Sequence, residues 1–212
     1  MRCSDCQRKV RPIVAVDIDG TLAQYHRSFV EFGEQWLGIE EGSLPRDWDG
    51  IGEFRDRLGI ESHLYRQMKL AFRAGGFKRW MPAFPMAAMF MQALNELGLE
   101  VWITTTRPWM RMDNVDPDTR EWLRRNRVDH KHLLFDEDKY GILTELVDPE
   151  RIVAVFDDEE EQRDRCAELS LPFVLRRTEW NSGVVSDHFV SSYTEAFDTV
   201  RDRVGVRDAL QG

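Results

Sequence analysis

Asp17 and Asp19 stand two residues apart, directly after the apolar run Ile13-Val14-Ala15-Val16 and before Gly20-Thr21. A second acidic pair, Asp157-Asp158, closes another apolar run, Ile152-Val153-Ala154-Val155-Phe156. Thr105 and Thr106 close a third, Val101-Trp102-Ile103-Thr104. If the three runs are neighbouring strands, four carboxylates and two hydroxyls meet in one small region. Like charges so close repel, and each carboxylate resists ionisation. Two remedies exist: a bound cation or a held proton. An oxygen-only donor set suits the hard ion Mg²⁺, which keeps waters and substrate phosphate as its other ligands. Asp and Gly after a strand are also ordinary turn residues, and Asp157-Asp158 could cap a helix. The conjunction of both pairs with the hydroxyls after an intervening strand is what points to a site.

The elements that must position these groups read as follows. Each of the three runs is short, continuously apolar and rich in β-branched residues, the pattern of a strand buried on both faces of a parallel sheet. Two more strands are expected at 132–135 and 172–175. Helical patterns fall between them, at 86–97 (closed by Gly98), 118–127, 159–169 and about 192–204. Strands alternating with helices predict a Rossmann-like parallel sheet with helices on both faces. In such sheets, sites form beyond the carboxyl ends of the strands. Residues 26–80 break the rhythm. They carry helix-like stretches at 28–37 and 62–74 around a loop-rich segment, and read as a small, mostly helical lobe inserted after the first strand. The expected division is a core of 1–25 and 81–212 with a lobe of 26–80.

Composition narrows the field. The chain has 212 residues with a formal net charge of -9, and a nucleic-acid surface usually carries a basic excess instead. No apolar run is long enough to span a bilayer, and no secretory leader is visible at the N-terminus. Three cysteines, an odd number, fit a reducing compartment, so a cytoplasmic location is expected. Cys3 and Cys6 lack the further ligands a zinc site needs and read as thiols of an exposed tail; Cys166 reads as a core residue.

The three segments, with Lys139 between the last two, occur in the order of the motifs of the haloacid dehalogenase (HAD) superfamily of phosphohydrolases, which the chain resembles over about residues 13–175. Asp17-Ile18-Asp19-Gly20-Thr21 is similar to the first motif of that family, Ile103-Thr104-Thr105 to the second and Val155-Phe156-Asp157-Asp158 to the fourth. Lys139 resembles the third-motif lysine. Within the superfamily the chain is most similar to 5'(3')-deoxyribonucleotidases. Leu22-Ala23-Gln24-Tyr25 follows the first motif, Gly75-Gly76-Phe77 with Pro82 and Pro85 resembles the link from cap to core, and Asp138-Lys139 resembles the Asp-Lys pair. Arg107 departs from that subfamily, which has proline there; the proline shifts to Pro108. Thr-x-Arg after the second strand is similar instead to the phosphatase domain of phage-type polynucleotide kinases.

The resemblance implies a HAD core with a cap and gives each residue a role. Asp17 is the expected nucleophile and Asp19 the proton donor, protonated at the start by an upward pKa shift. Thr105 and Lys139 would hold the phosphoryl group. Asp17, the backbone carbonyl of Asp19, Asp157 and Asp158 would hold Mg²⁺, with Asp157 favoured over Asp158 as the direct ligand. Gly20, Thr21, Tyr25, Trp48, Phe77, Thr106 and Arg107 are the expected substrate contacts, with Tyr25 as the stacking aromatic. The expected substrate is a small phosphate ester, a nucleoside monophosphate, and the expected activity is that of a phosphatase. One alternative is a 3'-phosphatase of nucleic-acid ends; another is a non-catalytic binding or regulatory protein of the same fold. A homodimer is compatible with either enzyme.

Overall fold

The computed structural model describes residues 11–47 and 54–211, with side chains to residue 205. Trp48, Cys3 and Cys6 lie outside the described residues. No helix among the described residues is long and apolar enough to cross a membrane.

Six strands form one parallel sheet in the order β3-β2-β1-β4-β5-β6. These are β1 (Ile13–Val16), β2 (Glu100–Thr105), β3 (His132–Phe135), β4 (Ile152–Asp157), β5 (Phe173–Arg176) and β6 (Phe189–Val190). The three runs singled out above are therefore neighbours, with β1 between β2 and β4. Val16 lies opposite Ile103 on one side and Phe156 on the other, which brings the three strand ends level. Strand side chains alternate between faces, as the twofold period requires. Val14 and Val16 join one apolar cluster, while Ile13 and Ala15 join the other.

Helices cover both faces. In chain order they are α1 (Tyr25–Leu37), α2 (Phe54–Arg57), α3 (Ser62–Ala74), α4 (Ala87–Glu96), α5 (Val115–Arg125), α6 (Lys139–Leu146), α7 (Glu160–Glu168) and α8 (Tyr193–Gln211). Helix α1 ends at Gly38, whose φ of +67° supplies the left-handed stop. Phe29 and Val30 of α1 and Met68 and Phe72 of α3 pack into the same apolar cluster as the β1 face. The segment between β1 and α4 is thus seated on the core through a continuous apolar contact.

Helix α5 begins three residues before the expected 118. Pro117 sits in its first turn, where no N–H is required of it, and Asp116 and Asp118 favour the positive end of the helix. Helix α6 and the two-residue β6 were not anticipated. For α6 the start signal is Asp138, whose carboxylate accepts from the Gly141 N–H at 3.2 Å. Cys166 is buried, as expected of a core residue.

Candidate active site

The sheet delivers Asp17 from β1, Thr105 from β2 and Asp157-Asp158 from β4 to one end. Carboxylate oxygens of Asp17, Asp157 and Asp158 all lie within 4.8 Å of one another, and all three residues are buried. Lys139, the first residue of α6, reaches into this group. Its Nζ is 2.5 Å from Asp17 Oδ1 and 2.6 Å from Asp157 Oδ2. Tyr140 OH donates to Asp157 Oδ2 at 2.6 Å, and the Glu159 N–H donates to Asp157 Oδ1 at 3.0 Å. Thr21 Oγ1 donates to Asp158 Oδ1 at 3.2 Å.

Burial raises the Asp17 carboxyl well above the usual carboxylate range, despite the opposing pull of Lys139. Burial raises Asp158 likewise, with Asp157 adding to the effect. Burial alone would lower the Lys139 ammonium, but Asp157 and Asp17 outweigh it and hold the proton more tightly than in a free lysine. Three buried carboxylates with one lysine leave a deficit of positive charge. The donors are all hard oxygens, so the residues fit a small divalent cation such as Mg²⁺.

Gly20 permits this crowding. Its φ is +98°, and a Cβ there would lie 2.0 Å from Asp158 Oδ2. Only a residue without a side chain lets the turn after β1 approach Asp158 so closely.

Asp19 departs from expectation. Arg107 grips its carboxylate at two points and Lys78 donates to Oδ2 as well. Burial would raise the Asp19 carboxyl, but Arg107, and after it Lys78, reverse the sign and hold it below the usual range. The expected upward shift is corrected: in this structure Asp19 is an ionised acceptor. Burial lowers the Lys78 ammonium to about 7, against the pull of Asp19.

The remaining sequence candidates divide. Thr105 is buried, and its hydroxyl accepts from the Arg107 N–H at 3.3 Å. Thr106 is partly exposed beside it. Tyr25 stands at the start of α1, its ring stacked on Phe29 at 5.6 Å and topped by Lys78 Nζ at 4.6 Å. Phe77 packs on Phe32 at 4.5 Å and is not on the wall of the cavity beside the carboxylates. Its position after the Gly75-Gly76 turn serves the packing of α3.

That cavity, about 550 Å³, reaches Asp158. Tyr25, His26, Phe54, Tyr65 and Trp180 give it aromatic walls, and Glu159, Glu160 and Glu161 an acidic one. His26 and Trp180 stack at 5.6 Å and 22°. The Trp180 Nε1–H has no acceptor among the described residues. Sequence reasoning missed His26, Tyr140, Trp180 and Asn181. Tyr140 follows Lys139 directly and could have been found once α6 was placed; the loop after β5 carries no comparable signal.

No protein-family model and no curated protein matches the chain. Solved structures do. A haloacid dehalogenase-like hydrolase from Streptococcus pneumoniae shares 10% identity at a TM-score of 0.62, over 89% of this chain and 97% of that one. A HAD family hydrolase from Deinococcus radiodurans, solved with phosphate and sodium, shares 13% at a TM-score of 0.63, over 91% and 96%. CbbY from Rhodobacter sphaeroides, solved with xylulose-1,5-bisphosphate, shares 16% at a TM-score of 0.55, over 87% and 96%. The chain has the HAD-like, Rossmann-type α/β fold of these proteins over nearly their full length.

Proposed function

We propose that the chain is a Mg²⁺-dependent phosphomonoester hydrolase that works through an aspartyl-phosphate on Asp17. One observation carries this reading: at the end of the central strand, Asp17 lies within 4.8 Å of Asp157 and Asp158 with Lys139 bridging it to Asp157. A nucleophilic carboxylate, a cation site and a fixed ammonium are what attack on a phosphate dianion requires. A bound Mg²⁺ offsets the repulsion between the carboxylates and the phosphate. Asp17, the Asp19 carbonyl, Asp157 and Asp158 would hold it.

The protein groups then divide the work. The ionised form of Asp17, which a bound cation would favour over the neutral one, attacks phosphorus, and the bond to the leaving oxygen breaks. Lys139 stays protonated beside Asp17 and balances the charge that develops. The Thr105 hydroxyl, which accepts from Arg107 N–H, turns its own hydrogen to a phosphoryl oxygen. Asp19 has to give a proton to the leaving oxygen, yet Arg107 and Lys78 hold it ionised at rest. An arriving phosphate dianion competes for both cations. Once they turn to the phosphate, Asp19 takes up a proton from solvent water and passes it to the leaving oxygen. Water then attacks the phospho-Asp17, losing its proton to Asp19, and phosphate departs.

The lobe of 26–80 serves in this reading as a cap, and the cavity beside Asp158 receives the leaving group. Its volume and aromatic walls suit a nucleoside. We therefore read the substrate as a nucleoside monophosphate and the enzyme as a 5'(3')-deoxyribonucleotidase. Arg107 supports the second reading, a 3'-phosphatase of nucleic-acid ends. The net charge of -9 weighs against a polyanion, and on the cavity wall Arg55, Arg57 and Lys69 are outnumbered by Asp158, Glu159, Glu160, Glu161 and Asp164.

Mg²⁺-dependent release of phosphate from an aryl phosphate, compared with Asp17→Asn, tests the chemistry. Equal rates in the two proteins would sink it. Comparing dUMP, dTMP and a 3'-phosphorylated oligonucleotide tests the substrate; a preference for the oligonucleotide by orders of magnitude selects the second reading.

A further inference from the structure

Lys139 pairs with two of the three carboxylates, Asp17 and Asp157. The backbone that carries Asp158 is held from behind by a residue of another loop. Asn181 follows β5 and is 3% exposed. Its Nδ2 donates to the Asp158 carbonyl at 2.8 Å and to the Arg176 carbonyl at 2.9 Å. Its Oδ1 accepts from the Thr178 N–H at 2.8 Å. All these bonds go to backbone, and none goes to a carboxylate. The side chain thus ties the loop after β4 to the end of β5 without entering the charged cluster.

The loop that presents Asn181 is itself braced. Arg177 Nη1 donates to the carbonyls of Asn181, Ser182 and Val184 at 2.9, 2.8 and 2.8 Å. Trp180, the preceding residue, is wedged against His26 and meets Phe54 edge-on at 5.0 Å. Arg57 donates to the Trp180 carbonyl. Asn181 is therefore fixed from the core side by Arg177 and from the α1–α2 side through Trp180.

Asp158 is also confined on its far side, where the turn at Gly20 leaves no room beside its carboxylate. Asp158 is thus bounded by the Gly20 turn, by Thr21 at its carboxylate and by Asn181 at its carbonyl. Three carboxylates left to their mutual repulsion would spread apart. A loop free to yield would let them, and the site would lose its geometry for a cation.

We propose that Asn181 is a positioning residue for the metal-binding loop: by tying the Asp158 carbonyl to the end of β5, it keeps Asp158 within ligating distance of Asp17 and Asp157. This rests on reading the three carboxylates as a divalent-cation site. Residues that hold metal ligands in place typically change metal affinity about 10- to 100-fold when removed.

The probe is Mn²⁺, titrated into the metal-free full chain and followed by the paramagnetic resonance of the free ion. Wild type, Asn181→Ala and Asn181→Ser are compared, with thermal melts to show that each is folded. Asn181→Ala is expected to bind Mn²⁺ about 10-fold more weakly. Asn181→Ser, whose hydroxyl keeps one donor, is expected between the two. With an aryl phosphate, kcat at low Mg²⁺ should fall in Asn181→Ala and recover as Mg²⁺ is raised, while KM stays within about twofold. Equal Mn²⁺ affinity in the folded proteins overturns the proposal. Should Asn181→Ala fail to fold, equality of Asn181→Ser with wild type overturns it alone. The two readings fail separately. Weakened Mn²⁺ binding in a chain that hydrolyses no phosphate ester sinks the proposed activity and leaves the role of Asn181. Hydrolysis with unchanged Mn²⁺ affinity does the reverse.

Discussion

Arg107 and Asp19 face each other as a two-point ion pair, Nη2 to Oδ1 at 2.6 Å and Nε to Oδ2 at 3.0 Å. The third nitrogen of the guanidinium donates to Thr119 Oγ1 at 2.9 Å, so the fork is anchored in α5 and aimed at the site. Planar two-point contact is what arginine offers and lysine does not. The pairing makes Asp19 a poor proton donor at rest; under the proposed mechanism an arriving phosphate would compete with it for Arg107.

Replacing Arg107 by Met should therefore act on substrate capture and on proton transfer together. Loss of charge-assisted hydrogen bonds to phosphate, about 1.5–3 kcal/mol, lowers kcat/KM for an aryl phosphate about 10- to 100-fold. Arg107→Lys should recover only part of this. In the Met variant Asp19 keeps Lys78 but loses the stronger of its two cationic partners, so its pKa rises. The alkaline limb of the pH–rate profile, where the acid is lost, should then move to higher pH. A limb that stays in place would remove Asp19 from the role of proton donor.

Gly20 offers a test by crowding. In Gly20→Ala the new methyl would lie 2.0 Å from Asp158 Oδ2 on a backbone with φ of +98°. Asp158 is poorly placed to yield, because Thr21 bonds its carboxylate and Asn181 its carbonyl. A loss of about 2 kcal/mol in stability is expected, with weakened Mn²⁺ binding. Gly38→Ala is the control. Its φ is +67°, but nothing lies within 4 Å of the added carbon. Strain alone should cost it about 1 kcal/mol and leave activity intact. Equal effects of the two substitutions on Mn²⁺ binding would mean that the Gly20 turn does not shape the site.

The difference between these two glycines also shows what a sequence can carry. β1 and β4 were legible because burial on both faces leaves a continuous apolar run; β3, a half-buried edge strand, also falls at 132–135 as read. The 62–74 helix is likewise found at Ser62–Ala74, because its apolar residues Met68 and Phe72 recur at a helical interval. Asp17, Thr105 and Asp157 could be brought together because parallel strands with level ends put their last residues side by side. Lys139 needed the resemblance, since nothing local distinguishes it from Lys131. The grip of Arg107 and Lys78 on Asp19 could not be read. It joins the loop after β2, the link before α4 and the turn after β1, and no local period records a meeting of three loops. Asn181 was hidden for the same reason, 23 residues beyond the carbonyl it holds.

His26 should leave a signature in acid. Its ring is enclosed by Tyr25, Phe54 and Trp180, and its Nδ1 is 4.0 Å from Asp158 Oδ2. Burial, with Arg57 adding, pushes the imidazole down to about 3. An unfolded chain protonates it near 6.5. A depressed pKa means that the unfolded state binds the extra proton, so the stability tied to neutral His26 is full above about pH 6.5 and is lost as pH falls towards 3. Relative to His26→Phe, wild type should lose up to about 1.4 kcal/mol per pH unit across that window. The carboxylates are common to both proteins and largely cancel in the comparison. A difference in urea unfolding free energy that stays flat from pH 7 to 5 would show that His26 is charged in the fold.

Asp158 carries the opposite sign, and its pH dependence tests the proposed cation site. Burial raises both Asp158 and Asp17, so the fold favours their neutral forms. Stability from a raised carboxyl is full below the ordinary carboxylate pKa of about 3.9 and is lost as pH rises through the folded value. Metal-free wild type should therefore weaken as pH rises from 5 to 8. Asp158→Asn removes one of the repelling charges and should weaken less, so that without metal it is the more stable protein at pH 8. Mg²⁺ should invert that order. A ligand at 100 times its Kd stabilises by about 2.7 kcal/mol, a gain open to wild type and largely closed to the variant, which lacks one of the three ligating carboxylates. Thermal melts of both proteins at pH 8, with and without Mg²⁺, decide the matter. If Mg²⁺ shifts the two equally, Asp158 is not a ligand; if it shifts neither, the three carboxylates hold their charge in some other way.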